Sequence, residues 1–286
     1  MSTSPLANWN GTEMPLADVR VSVLDRAFLF GDAVYEVLRV YRGRPFLEAE
    51  HLARLRRSLS EIAIRCDVDR IAERMRETLR HSRVQEGLIY LQVTRGEAPR
   101  THRFPAGDCR PNELIYVEAF ETDPYAALRD QGAAAVTVPD RRWKRCDIKS
   151  VNLLANCLAA QQAYEQGCLE ALLVAADGTI TEGSHMSAFG VLGGQVLTSP
   201  LSPSILPGIT RGLIARLAAR CGVSIQETPF RQSDLPRLDE LFLTGTTSEV
   251  LPVVQVDGSR IGDGRPGPVT RKLQSAYREF LEEQLA

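Results

Sequence analysis

Segments with the composition of strands alternate with segments of helical periodicity along nearly the whole chain, and that alternation confines it to a mixed α/β fold. Residues 88–94 (LIYLQVT) and 114–120 (LIYVEAF) are apolar runs rich in β-branched and aromatic residues, of strand length. Between them, 95–111 is interrupted by Gly96, Pro99, Pro105, Gly107 and Pro111 and is expected as a loop. Residues 19–23 and 33–41 also suit strands. By contrast, 51–64 places Leu52, Leu55, Leu59 and Ile62 three and four apart, the spacing of an amphipathic helix, and 71–79 repeats this more weakly. After Thr122, Asp123 and Pro124 the pattern starts again. Residues 133–138, 171–175, 188–192 and 241–244 read as strands, and 151–166, 210–221 and 269–285 as helices. No internal repeat is present, and the pattern sets a boundary near residues 120 to 131.

Composition excludes several classes. The 286 residues are 44% hydrophobic and 24% charged with a net charge of −2, so nothing points to nucleic acid, a membrane surface or a strongly charged partner. No apolar run approaches the roughly 20 residues of a membrane span, and residues 1–10 lack the basic-then-apolar order of a secretory leader. The six cysteines are scattered without a C-x-x-C pair, as expected for reduced thiols of a cytoplasmic protein. Four dispersed histidines offer no metal-ligand spacing, and neither a G-x-S-x-G elbow nor a Walker loop occurs. Lysine is the exception that informs: among 34 basic residues it occurs only at Lys144, Lys149 and Lys272.

A chain that spends arginine wherever any cation serves has chemical reasons for its lysines. Lys149 lies just before an apolar helix, where desolvation lowers an amine pKa and lets it attack an aldehyde to form a Schiff base; a surface lysine beside Lys144 and Arg145 fits the local sequence equally. Glu182, after the Asp177-Gly178 turn, suits a carboxylate that keeps a pyridine nitrogen protonated, and also a solvated loop residue. Ile209 and Thr210 open a helix whose free N–H groups favour an anion. Thr246 follows a strand beside Gly245, and Arg54 on the helix after His51 offers a charged partner for the same anion. Taken singly, these segments also suit a capped helix and an ordinary turn. Arg100 and His102 are two apart in an extended loop, so they share a side and together suit a carboxylate, although a solvated basic loop fits too.

Taken in order, the segments resemble the fold-type IV pyridoxal 5'-phosphate (PLP) enzymes. The series runs from Asp25-Arg26, Phe30-Gly31-Asp32, Val34-Tyr35-Glu36-Val37 and Glu50-His51 with Arg54 through Gln92-Val93-Thr94-Arg95-Gly96. It continues through Cys146-Asp147-Ile148-Lys149-Ser150, Thr181-Glu182-Gly183, Gly208-Ile209-Thr210-Arg211 and Thr246-Thr247-Ser248-Glu249. The arrangement is most similar to the D-amino acid aminotransferases, through Val34-Tyr35-Glu36 and Arg100-Thr101-His102.

The resemblance implies a small N-terminal α/β domain (1–120), a linker (121–131) and a larger C-terminal PLP-binding domain (132–286), with PLP between them. It implies that Lys149 holds PLP as a Schiff base and later shuttles a proton. It further implies that Glu182 pairs with the pyridine nitrogen, that Arg54, Ile209, Thr210 and Thr246 hold the phosphate, and that Tyr35, Arg100 and His102 bind the substrate carboxylate. The reaction implied is ping-pong transamination between D-amino acids, such as D-alanine and D-glutamate, and 2-oxo acids, by a homodimer whose carboxylate-binding loop comes from the partner subunit. Branched-chain L-aminotransferases, (R)-amine transaminases and aminodeoxychorismate lyase are alternatives of the same fold. The chain departs from the pattern at Ser184-His185-Met186-Ser187 and at Gly245, which bears on the surroundings of Glu182 and on one phosphate contact.

Overall fold

Alternation of buried apolar and outward residues builds the first sheet. The computed structural model describes residues 4–107 and 109–286, and the chain divides into a unit of residues 1–122 with 148–152 and a unit of 123–147 with 153–286. The first unit contains β1 (Leu6–Trp9), β2 (Thr12–Pro15), α1 (Arg26–Phe30), β3 (Ala33–Tyr41), β4 (Arg44–Pro45), α2 (Glu48–Glu61), α3 (Val68–Ser82), β5 (Gly87–Thr94) and β6 (Glu113–Ala119). Its six strands run in the order β2-β1-β6-β5-β3-β4, every paired neighbour antiparallel. One face carries Val34, Leu38, Ile89, Leu91, Val93, Ile115 and Val117, which pack with Leu52, Leu55 and Leu59 of α2 and Ile71, Met75 and Leu79 of α3 in one buried cluster. Leu55 is fully buried, so cutting it to alanine removes about 2–5 kcal/mol. The other face bears a row of rings: Tyr35 stacks on Tyr90 at 5.7 Å and Tyr90 on Tyr116 at 5.0 Å.

Two expectations for this region fail for identifiable reasons. Residues 19–23 form no strand. Val21 and Val23 are 48% and 66% exposed, so β propensity there has no sheet to pack against. Residues 148–152 do not open the following helix but lie along β3. Ser150 bridges to Val34, the Tyr35 N–H donates to the Lys149 carbonyl at 3.0 Å, and Ile148 joins the core of this unit. Residues 95–107 and 109–111 contain no helix or strand, as expected of the loop, and Asp108 lies outside the described residues.

The second unit contains α4 (Ala126–Gln131), β7 (Ala133–Pro139), α5 (Leu154–Glu165), β8 (Glu170–Val174), β9 (Ile180–Gly183), β10 (Ser187–Leu192), β11 (Gln195–Leu197), α6 (Ile209–Arg220), β12 (Ile225–Gln226), β13 (Glu240–Gly245), β14 (Glu249–Val256), β15 (Ser259–Arg260) and α7 (Pro268–Leu285). The stretch expected as a linker, 121–131, thus carries α4. The nine-stranded sheet runs β12-β11-β10-β13-β14-β7-β8-β9, with β15 on β14. Pro252 sits within β14, a strand the sequence reading passed over. It pairs with Phe242 of β13, while pairing to β7 begins at Val253. Phe230, Leu235, Leu241, Leu243, Leu251 and Val253 are among the residues of one buried cluster, and α5 packs Ala159 and Ala163 against Val136, Val138 and Leu173 in another. No helix among the described residues is long and apolar enough to cross a membrane. The six cysteines are unpaired thiols.

Candidate active site

In the first unit, strand alternation sends Tyr35 and Glu36 to opposite faces of β3. On the tyrosine face, the Lys149 Nζ lies 4.1 Å from the Tyr35 ring centroid, a cation–π contact that extends the row of rings. The backbone of Lys149 is held on both sides, its N–H donating to Ser58 Oγ at 3.2 Å and its carbonyl accepting from Tyr35. On the helix face, Glu36 is buried and accepts from Arg54 Nε at 2.7 Å, Arg54 Nη2 at 2.8 Å and His51 Nδ1 at 2.7 Å. Burial alone raises a carboxyl pKa, but the Arg54 charge and both sets of hydrogen bonds outweigh it and hold Glu36 at about 2. Burial also lowers the His51 pKa, against the pull of Glu36 and with the charges of Arg54 and Lys149 adding to it. Neutral His51 therefore donates to Glu36, and Arg54 is fixed by a fork of two bonds.

The loop after β5 is exposed, yet its centre is tethered. Arg100 lies 5.2 Å from the centroid of the Phe30 ring and the His102 ring 5.6 Å from it, so both side chains rest on one aromatic surface. Arg26, only 2% exposed, donates from Nη1 to the Thr101 carbonyl at 2.7 Å and from Nε to Asp32 at 2.7 Å. Arg95 shares Asp32 through Nε at 2.7 Å and Nη2 at 3.0 Å, and stacks 3.6 Å from the Phe104 ring centre. Asp32 and Arg95 belong to the motif series, but sequence reading assigned them no task. Their signal was charge adjoining strands that are otherwise apolar.

In the second unit, Glu182 belongs to β9, an edge strand with all four residues buried, rather than to a solvated loop. Arg142 forms a very short ion pair with its Oε1, and the Leu206 N–H points at both oxygens at 3.2 Å. Asp140 secures Arg142 from the other side, with bonds of 2.9 and 2.7 Å and a further bond of 2.8 Å from Thr181 Oγ1. Burial pushes the Glu182 carboxyl up to about 7, outweighing the Arg142 charge and the bonds from Arg142 and the Leu206 N–H, with the negative charge of Asp140 adding a little to the rise. Sequence reading missed Arg142 and Asp140. Nothing local in Asp140-Arg141-Arg142 identifies which arginine turns inward.

Leu206 leads through Pro207 into α6, whose N-cap, Gly208, supplies no side-chain cap for the first N–H groups at Ile209 and Thr210. A Cβ added at Gly208 would lie 2.7 Å from Ser187 Oγ, so only glycine allows this approach to β10. Ser187 pairs in turn with Thr244, at the start of the turn carrying Thr246. Thr244 Oγ1 and Ser248 Oγ are buried hydroxyls without a hydrogen-bond partner among the described residues. A side chain at Gly245 would meet Ser248 Oγ at 2.6 Å, which explains why no hydroxyl residue stands there. The unit thus brings together Glu182, the uncapped N-terminus at Ile209 and Thr210, and the Thr246 turn.

At the departure Ser184-His185-Met186-Ser187, the polar contacts turn away from Glu182. Ser184 donates its N–H to Glu170 Oε1 at 2.9 Å and its hydroxyl to the same oxygen, His185 Nδ1 lies 3.0 Å from Glu170 Oε2, and Met186 is buried.

The chain matches the family model described as amino-transferase class IV over residues 33–256. It is 38% identical over 275 residues to the D-alanine aminotransferase of Staphylococcus aureus strain N315, covering 96% of each chain. It is also 38% identical over 280 residues to that of Bacillus licheniformis, covering 97% of this chain and 98% of that one. Among solved structures, the branched-chain amino acid aminotransferase of Escherichia coli superposes with a TM-score of 0.89 at 28% identity over 97% of this chain and 94% of that one. The branched-chain amino acid aminotransferase of Thermobaculum terrenum, solved in its PLP form, gives a TM-score of 0.83 at 25% identity over 98% of this chain and 94% of that one. The mixed α/β fold and the nearly full-length relatives agree: the chain belongs to the class IV aminotransferases.

Proposed function

We propose that this aminotransferase uses PLP to move amino groups between D-amino acids, with D-alanine and D-glutamate foremost, and 2-oxo acids in two half-reactions. Nearly full-length identity to D-alanine aminotransferases is the observation that carries the reading. The residues present suit the cofactor. Two orphaned hydroxyls and an uncapped helix N-terminus form a donor set for a phosphate, and a buried carboxylate borders the same segment. When bound, PLP supplies an electron-withdrawing ring that stabilises negative charge at the substrate Cα.

Lys149 Nζ would anchor the cofactor covalently and, once displaced by the substrate amine, would take and return the Cα proton. Its backbone clamp by Ser58 and Tyr35 limits where that amine reaches. Glu182 would pair with the ring nitrogen, and its ion pair with Arg142 favours the charged carboxylate. The N–H groups of Ile209 and Thr210, the Thr246 hydroxyl and Arg54 hold the phosphate. Tyr35, Arg100 and His102 orient the substrate carboxylate.

The same reading makes the protein a homodimer of the cytoplasm in which the loop with Arg100 and His102 serves the partner subunit. Exposed Val21, Val23, Leu24, Phe28 and Phe104 in the first unit support a partner surface there.

The test pairs D-alanine with 2-oxoglutarate and compares D-alanine with L-leucine in single half-reactions. D-alanine converts the cofactor faster in the wild type, and Lys149→Ala neither retains the visible absorbance of the bound cofactor nor turns over. Faster conversion of L-leucine refutes the D-amino acid reading in favour of the branched-chain activity that the solved relatives are named for.

A further inference from the structure

We propose that the first unit carries an anion-binding site for a small phosphate-bearing polyanion, built from Arg65, Arg70, Arg74 and Arg110 around Glu113, residues with no part in the transamination reading. They line a small, open cleft with Cys66 among its walls. Arg70 and Arg74 stand four apart on α3 and so share a face. Both reach Glu113 on β6, Arg70 Nη2 at 3.0 Å and Arg74 Nη1 closer still.

Two glycines shape the backbone here, one beside the Arg74 guanidinium and one beside the Arg110 main chain. A Cβ on Gly11, at φ +95°, would lie 2.7 Å from Arg74 Nη2. One on Gly96, at φ +98°, would lie 2.0 Å from the Arg110 carbonyl, so the chain passes there only without a side chain. Arg65 and Arg110 form no ion pair or side-chain hydrogen bond among the described residues, and both are exposed at the rim.

Charge decides the ligand class. Among the described residues, Glu113 inside and Asp67 at the N-cap of α3 are acids set against four permanent cations. Burial pushes the Cys66 thiol up to about 11, so it stays neutral and cancels nothing. Guanidinium forks match the oxygens of a phosphate, and a pyrophosphate group concentrates enough negative charge in one compact ligand to balance the excess, where a single carboxylate does not.

The experiment titrates inorganic pyrophosphate into the PLP-loaded protein by calorimetry at low ionic strength, with citrate as the carboxylate comparison. One saturable site per chain is expected, tighter for pyrophosphate than for citrate and weakened by added salt. The Arg65→Ala/Arg110→Ala variant, which removes no ion pair seen among the described residues, should fold with unchanged circular dichroism and transaminase activity and bind pyrophosphate roughly tenfold or more weakly. Absence of saturable binding in the wild type overturns the proposal, as does equal affinity in the variant or tighter binding of citrate. A variant that loses its oligomeric mass while keeping its affinity overturns it too, because the cleft is then a contact between copies.

Discussion

Glu36 joins the buried Arg54 and His51, and replacing it with glutamine measures what that triad contributes. Its carboxyl is held at about 2 instead of the usual 4.5. A difference of about 2.5 pKa units corresponds to about 3 kcal/mol of stability. The Arg54 side chain is 6% exposed and that of Glu36 1%, so water screens the pair little. Removing one partner of a buried ion pair costs about 3–5 kcal/mol, which agrees. The sign is fixed by the lowered pKa: the contribution is complete above pH 4.5 and is lost as pH falls toward 2. In a Trp143→Phe background, Trp9 on β1 reports unfolding of the unit that contains Glu36. Urea titrations of that protein and its Glu36→Gln variant should differ by about 3 kcal/mol at pH 7 and by about 2 kcal/mol at pH 3.5. A difference below about 1 kcal/mol at pH 7, or one independent of pH, refutes the reasoning.

Three further outcomes follow from the geometry. With its carboxyl raised to about 7, Glu182 is protonated below that pH, so PLP capture by the apoprotein weakens as pH falls through about 7; equilibrium titrations should show this, and Glu182→Gln should flatten the profile. Phe30→Ala removes the ring under Arg100 and His102, so KM for D-alanine rises severalfold while PLP affinity is unchanged, and steady-state kinetics beside a PLP titration separate the two. Gly208→Ala forces Ser187 to move, at a cost of about 1–3 kcal/mol, and loosens PLP retention during gel filtration.

Periodicity carried the fold class and most of the elements. The helix spacing of Leu52, Leu55 and Leu59 is the packing of α2, and the run LIYLQVT is β5, because burial on one face enforces the period it needs. Valine at positions 21 and 23 misled, since β propensity reports packing against neighbours that this segment lacks. The ordered motifs, together with scarce lysine, brought forward from sequence alone Lys149, Glu182 and the segments proposed to hold a phosphate. What sequence could not carry is the partnering of buried charge. Whether Arg54 meets Glu36, which of Arg141 and Arg142 turns toward Glu182, and that Ser184 and His185 serve Glu170 all depend on residues 14 to 40 positions apart converging in a low-dielectric interior. A charge there must find its counter-ion through space, and no local pattern records which one it finds.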